Sequence, residues 1–148
     1  VCSFVDYPVA IWAVHQLGGI ISGANPDFST NELLYQLQAT KATVLIAHPD
    51  NIDIATVAAQ QYGLSSERLL VFDTQNSPKT HKVSVEDMIE LGRTHAPSFQ
   101  ERKLKPGEGK TKLAFLSFSS GTTGRPKVRL LLFATMSLLL DFRADFTS

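Results

Sequence analysis

Cysteine is nearly absent: Cys2 is the only one in 148 residues. A lone thiol excludes an internal disulfide framework and fits a reducing compartment. Set among apolar neighbours, Cys2 reads as a buried, inert side chain. Net charge is also missing. The 14 Lys and Arg balance the 14 Asp and Glu, which leaves no cationic excess to displace counterions from nucleic acid, so a general polyanion binder is excluded. No long hydrophobic run occurs. The longest largely apolar stretch, residues 130–140, is far short of the ~18–20 residues a membrane-spanning helix needs. The opening residues VCSFVDYPVAIW have neither the basic start nor the small-residue cleavage site of a secretory leader. They also lack an initiator Met and begin as if inside a strand, so the sequence is expected to be a piece of something longer.

Clusters that would carry metal or nucleophile chemistry are scarce as well. His15, His48, His81 and His95 form no H-x-x-x-H pair and have no Cys beside them, so no metal site is expected. No G-x-S-x-G context supports a Ser-His-Asp triad. Asp50 and Asp53 are expected to serve as helix-start residues, Asp50 as a cap, and His15 as a satisfied core or interface side chain. Arg102, Lys103, Lys105 and Lys110 alternate with Glu101 and Glu108 and read as a solvated loop.

What is present is 43% apolar residues with 19% charged, enough to build a core. Residues 1–5 read as a buried strand. Residues 7–17 (YPVAIWAVHQL) are apolar nearly all round, with Pro8 near the start and Gly18 at the end. That pattern predicts a buried helix with Trp12 in the core. Ile20 and Ile21 predict a short strand. Asn25-Pro26 breaks the chain, and Ser29-x-x-Glu32 opens a helix with a capping box. Residues 43–47 (TVLIA) and 69–72 (LLVF) read as strands flanking a helix that stops at Gly63, a parallel crossover. Ser84-x-x-Asp87 opens a further helix, expected to stop at Gly92. Residues 97–112 read as a surface loop and 113–118 (LAFLSF) as the last strand.

That strand runs into SFSSGTTGRPK, residues 117–127, which holds hydroxyls, two glycines and two cations but no acid. Glycines let backbone N–H groups approach an anion, hydroxyls donate to phosphate oxygens, and a lysine adds a point charge. The Walker A spacing fails, because Gly124 and Lys127 are not adjacent; the dinucleotide G-x-G-x-x-G pattern fails too. On residue types alone, an anion cradle and an ordinary solvated turn both stand.

The order of the residues adds more. SSGTTGRPK resembles the phosphate-loop signature of the adenylate-forming enzymes, a family that includes acyl-CoA synthetases, 4-coumarate–CoA ligases, luciferases and peptide-synthetase adenylation domains. The match covers Ser119, Ser120, Gly121, Thr122, Thr123, Gly124, Pro126 and Lys127. Upstream, DYPVAIWAVHQLGGIISGANPDFSTNELLYQLQATKATVLIAHP resembles a helix–strand–helix–strand segment of 4-coumarate–CoA-ligase-like proteins. The likeness runs over about residues 1–128.

The resemblance implies an α/β fold, a partial layered α/β/α arrangement with a mainly parallel sheet, taken from the large N-terminal domain of such an enzyme. It implies residues 1–127 as a partial adenylation domain ending in the phosphate loop, and residues 128–148 as an atypical tail outside the family fold. It implies ATP with Mg2+, coenzyme A and a small carboxylic acid as reactants, without nucleic acid, in cytoplasm or peroxisome. Ser119, Ser120, Thr122 and Thr123 would donate to the β- and γ-phosphates, Gly121 and Gly124 would shape the loop, and Lys127 would neutralise charge developing on pyrophosphate. The family's later Tyr-Gly-x-Thr-Glu segment, ribose-binding Asp, hinge and C-terminal catalytic Lys have no counterpart in these residues. The chain is therefore expected to keep a phosphate loop yet be inactive alone. The alternative is a non-enzymatic nucleotide- or protein-binding module.

Overall fold

The structure, a computed structural model, describes residues 6–72, 83–95, 100, 102–119 and 127–133. In chain order the elements are α1 (Asp6–Gln16), β1 (Ile21–Ser22), α2 (Thr30–Thr40), β2 (Leu45–Ala47), α3 (Ile52–Tyr62), β3 (Leu69–Val71), α4 (Val85–Thr94), β4 (Leu113–Ser119) and β5 (Lys127–Leu132), with short 3-10 turns between some of them. The fold is mixed α/β and contains parallel strand pairing: β1 with β4 and β2 with β3 are parallel, β4 with β5 antiparallel. The strands form two sheets, ordered β1-β4-β5 and β2-β3. The chain divides into two compact units, residues 24–99 and residues 1–23 with 100–148.

The unit of residues 24–99 is built on the expected crossover, β2-α3-β3, with Leu45, Ile46 and Ala47 in register with Leu69, Leu70 and Val71. Ala55, Ala58 and Ala59 form the buried stripe of α3. Small side chains at that i, i+3, i+4 spacing let a second helix come close, and α2 supplies Leu33 and Leu37 to the same core as Leu69. Each such leucine withdrawn from water contributes about 2 kcal/mol before chain entropy is counted.

Both expected capping boxes are present. Ser29 accepts from the N–H of Glu32 and the Glu32 carboxylate accepts from the N–H of Ser29, and Ser84 with Asp87 does the same for α4. Helices α2 and α3 end alike. The N–H of Ala42 donates to Leu37 O and that of Leu64 to Ala59 O, each across a left-handed residue, Lys41 (φ 51°) and Gly63 (φ 84°). Glycine is the usual occupant of that position, because a Cβ crowds the following carbonyl there.

Four readings change. Asp50 does not cap α3; it lies in a 3-10 turn, Pro49–Asn51, where its N–H donates to His48 Nδ1 at 3.0 Å. Gly92 does not stop α4, which continues to Thr94. The helix ends where Thr94 Oγ1 donates to Leu91 O at 2.9 Å and the His95 ring meets the same carbonyl. Trp12 is not core, being 64% exposed. Ala10, Ile11, Val14 and His15 are the half-buried side of α1, and one covered side is all that a helix packed against a sheet requires, however apolar the rest. Finally, LAFLSF is not the last strand, since Lys127–Leu132 forms β5. The boundary expected between residues 127 and 128 falls inside that strand. The strand expected at residues 1–5 lies outside the described residues.

Candidate functional site

β4 delivers the candidate motif, and it is the most closely held strand of its unit. On one edge it pairs with β1, Ile21 opposite Phe115 and Ser22 opposite Leu116. Ser22 Oγ adds a bond to Leu116 O at 3.2 Å. On the other edge it pairs with β5 through Leu116–Leu130, Ser117–Arg129, Phe118–Val128 and Ser119–Lys127.

The ladder with β5 slips once. Leu113 faces Leu132 while Phe115 faces Leu131, so Ala114 is the extra residue of a bulge, a local insertion that bends and twists a strand. Ala114 is fully buried. Its carbonyl lies 3.2 Å from His15 Nε2, and because a carbonyl can only accept, Nε2 carries the proton in this contact. The His15 ring also meets Phe115 and Phe133 edge-on, with centroids 5.0 and 4.9 Å away. Thus α1 is tied to the start of β4 by the satisfied histidine that the sequence led one to expect. Nothing local in the sequence reveals this partner, since 99 positions separate the two residues.

Of the candidate site residues, Ser119 and Lys127 are placed and stand opposite one another, as the last residue of β4 and the first of β5. In an antiparallel ladder, opposed residues have Cα atoms about 4.5–5.5 Å apart. The two ends of the motif are therefore side by side at one end of the three-stranded sheet. Ser120, Gly121, Thr122, Thr123 and Gly124 lie outside the described residues.

Chemically, a serine and a lysine stand as opposed residues of adjacent strands at one end of the sheet, residue types whose groups are an alcohol and an ammonium. That suits an anion better than a metal cation. Among the described residues no three His, Cys, Asp or Glu side chains gather where they could hold a metal ion. No described helix is long and apolar enough to cross a membrane. Among the described residues one shift in acidity stands out, at the α2 cap. Hydrogen bonds from the Ser29 hydroxyl and then the Ser29 backbone N–H hold the Glu32 carboxyl below the usual range, and nothing in that arrangement speaks of catalysis.

Comparison with known proteins gives this geometry a context. The family model described as AMP-binding enzyme matches residues 3–135, so the match takes in β4 and β5 whole. The chain is 32% identical over 127 residues to the acyl-CoA ligase azaF of Aspergillus niger, covering 84% of this chain and 24% of that protein. It is also 32% identical to the phenylacetyl-CoA ligase epaB of Aspergillus niger, with 84% and 23% covered. Among solved structures, the anthranilate CoA ligase AuaEII in complex with anthranoyl-AMP superposes with a TM-score of 0.71 at 22% identity, over 89% of this chain and 24% of that one. The chain thus spans about a quarter of the length of the relatives it matches.

Proposed function

Because the chain belongs to the AMP-binding enzyme family, we propose that it carries the part of an ATP-dependent carboxylate–CoA ligase that grips the terminal phosphates of ATP, and that it does not complete the reaction alone. In the reaction of the whole enzyme, a carboxylate oxygen bonds to the α-phosphorus of ATP and the bond to the bridging oxygen breaks. Pyrophosphate leaves with the electron pair. The thiol of coenzyme A then takes the acyl group and AMP departs.

The part assigned to this chain is electrostatic. As the bridging bond lengthens, negative charge accumulates on the departing pyrophosphate. Donors already aimed at that charge lower the barrier without reorganising when it forms. Ser119, Ser120, Thr122 and Thr123 are the alcohol donors in this reading. Gly121 and Gly124 allow backbone N–H groups to approach the phosphates, and Lys127 supplies the full positive charge. Mg2+ enters as a companion of the ATP phosphates. The described residues offer it no cage of their own, and the work of the chain rests on its alcohols and ammonium group.

The observation that carries the proposal is the pairing of Ser119 with Lys127, which holds both ends of the motif at one end of the sheet. The 32% identity to two acyl-CoA ligases supports the reaction class. Residues 1–127 are read as the adenylation-domain part. Residues 128–148 are read as a tail atypical in sequence, its first residues paired into β5; the cytoplasm or the peroxisome is read as the place of action.

The test is acid-dependent release of pyrophosphate from Mg-ATP, run on this chain with a panel of aromatic and fatty acids. No release above background is expected. Robust turnover would overturn the reading that the chain is incomplete as a catalyst.

A further inference from the structure

A cleft of about 490 Å³ opens within the unit formed by residues 1–23 and 100–148. That volume is in the range of small-molecule sites. Its apolar surfaces come from Trp12, Leu113 and Phe133, and its cationic ones from Arg102, Lys103 and Lys112. No Asp or Glu among the described residues lines it. The sequence alone read residues 102 and 103 as members of a solvated, charge-balanced loop; in the structure both also line this cleft.

The position of Arg102 is fixed from two directions. Its backbone N–H donates to Gln16 O at 3.0 Å, where α1 ends. Its side chain lies directly on Gly18, so closely that a Cβ at that position would collide with Cδ. Gly18 also has φ 75°. Only glycine meets both demands without strain. The guanidinium is thereby laid against Gly18 at the C-terminal end of α1, on a cleft that Lys103 and Lys112 also line. Among the described residues none of these three cations has an ion-pair partner. A planar guanidinium with two ammonium groups suits a multiply charged phosphate better than a single carboxylate. Trp12, 64% exposed, offers an indole ring on which a flat body can lie.

We infer that this cleft is a second anion site, separate from the Ser119–Lys127 motif, and that it takes a small phosphate ester with an aromatic body. The phosphate sits among Arg102, Lys103 and Lys112, and the ring lies against Trp12. This inference does not depend on the ligase reading, because none of the residues it uses belongs to the candidate phosphate loop.

Trp12 is the only tryptophan in the sequence, so its emission reports on the cleft. The full 148-residue chain is titrated with phenyl phosphate, and phenol and inorganic phosphate are used as partial probes. The expected result is a saturable change in emission with phenyl phosphate, absent with phenol and competed by inorganic phosphate. Affinity should fall about tenfold or more in the Arg102→Ala/Lys103→Ala variant, on the scale of a lost charge-assisted contact. The exposed single change Lys103→Glu should weaken binding in the same direction, with an unaltered far-ultraviolet circular dichroism spectrum guarding against unfolding. Lys127→Ala should leave this titration unchanged. No saturable signal, an equal response to phenol, undiminished affinity in both cation variants, or loss of the signal on Lys127→Ala would each overturn the inference.

Discussion

Ser119 and Lys127 face each other across the antiparallel ladder of β4 and β5. This pairing turns a sequence signature into a placed object. A serine and a lysine that bound a Gly- and Thr-rich stretch of sequence are brought to one end of a sheet whose central strand is β4. That strand is anchored by β1 on one edge, by β5 on the other and by His15 against the bulged residue Ala114. Electrostatic assistance is effective when donors are held before charge develops, so a well-anchored strand is a suitable base for such a motif.

The α2 cap predicts a pH effect. Glu32 is held below the usual carboxylate range chiefly by the Ser29 hydroxyl, with Ser29 Oγ donating to Glu32 Oε2 at 2.6 Å. A lowered folded value means that the contribution of Glu32 to stability is complete above its unfolded value of about 4.3 and fades as pH falls through the lower folded value. In an NMR titration Glu32 should change ionisation below its ordinary range, and Ser29→Ala should move it back up. An ordinary value in both proteins would mean that the capping box is not formed in solution.

The core of residues 24–99 predicts a large, local loss. Leu69 is 1% exposed and packs with α2 and α3. Leu69→Ala should destabilise by about 3 kcal/mol, the range for a leucine truncated in a core that relaxes only partly. Urea unfolding followed by circular dichroism measures it. A loss under about 1 kcal/mol would place Leu69 at a surface and contradict the packing of the crossover.

Lys41 predicts a gain. It is a non-glycine residue at φ 51° closing α2, the position that Gly63 occupies at the end of α3. Lys41→Gly removes the Cβ strain at the cost of a more flexible unfolded chain, so a net stabilisation of up to about 1 kcal/mol is expected. Thermal unfolding should show a higher midpoint, and a lower one would argue against the left-handed end of α2.

The legible parts of this molecule are those where short-range chemistry decides. Ser29-x-x-Glu32 and Ser84-x-x-Asp87 could be read as helix starts, because a capping box involves residues only three apart. The β2-α3-β3 crossover followed from strand–helix–strand alternation and the stop at Gly63. Trp12 was misread because apolar residues all round a helix suggest full burial, whereas which side is covered depends on distant β4. Asp50 does not stand at the α3 cap because a 3-10 turn capped by His48 precedes that helix and moves its cap position to Asn51. β5 was missed because its run continues past Leu132 into further apolar residues, so nothing in the periodicity marked Lys127–Leu132 as a strand. At the candidate site the residue types were readable, but the opposition of Ser119 and Lys127 was not, since it depends on the register between two strands.

The central claim is that the segment bounded by Ser119 and Lys127 grips the terminal phosphates of ATP. Titration calorimetry of this chain with Mg-ATP, with and without Lys127→Ala, tests it most directly. Saturable heat from the unaltered chain is expected, with affinity falling about tenfold or more in Lys127→Ala and circular dichroism unchanged. No saturable heat from the unaltered chain, or equal affinity in the two proteins, would contradict it.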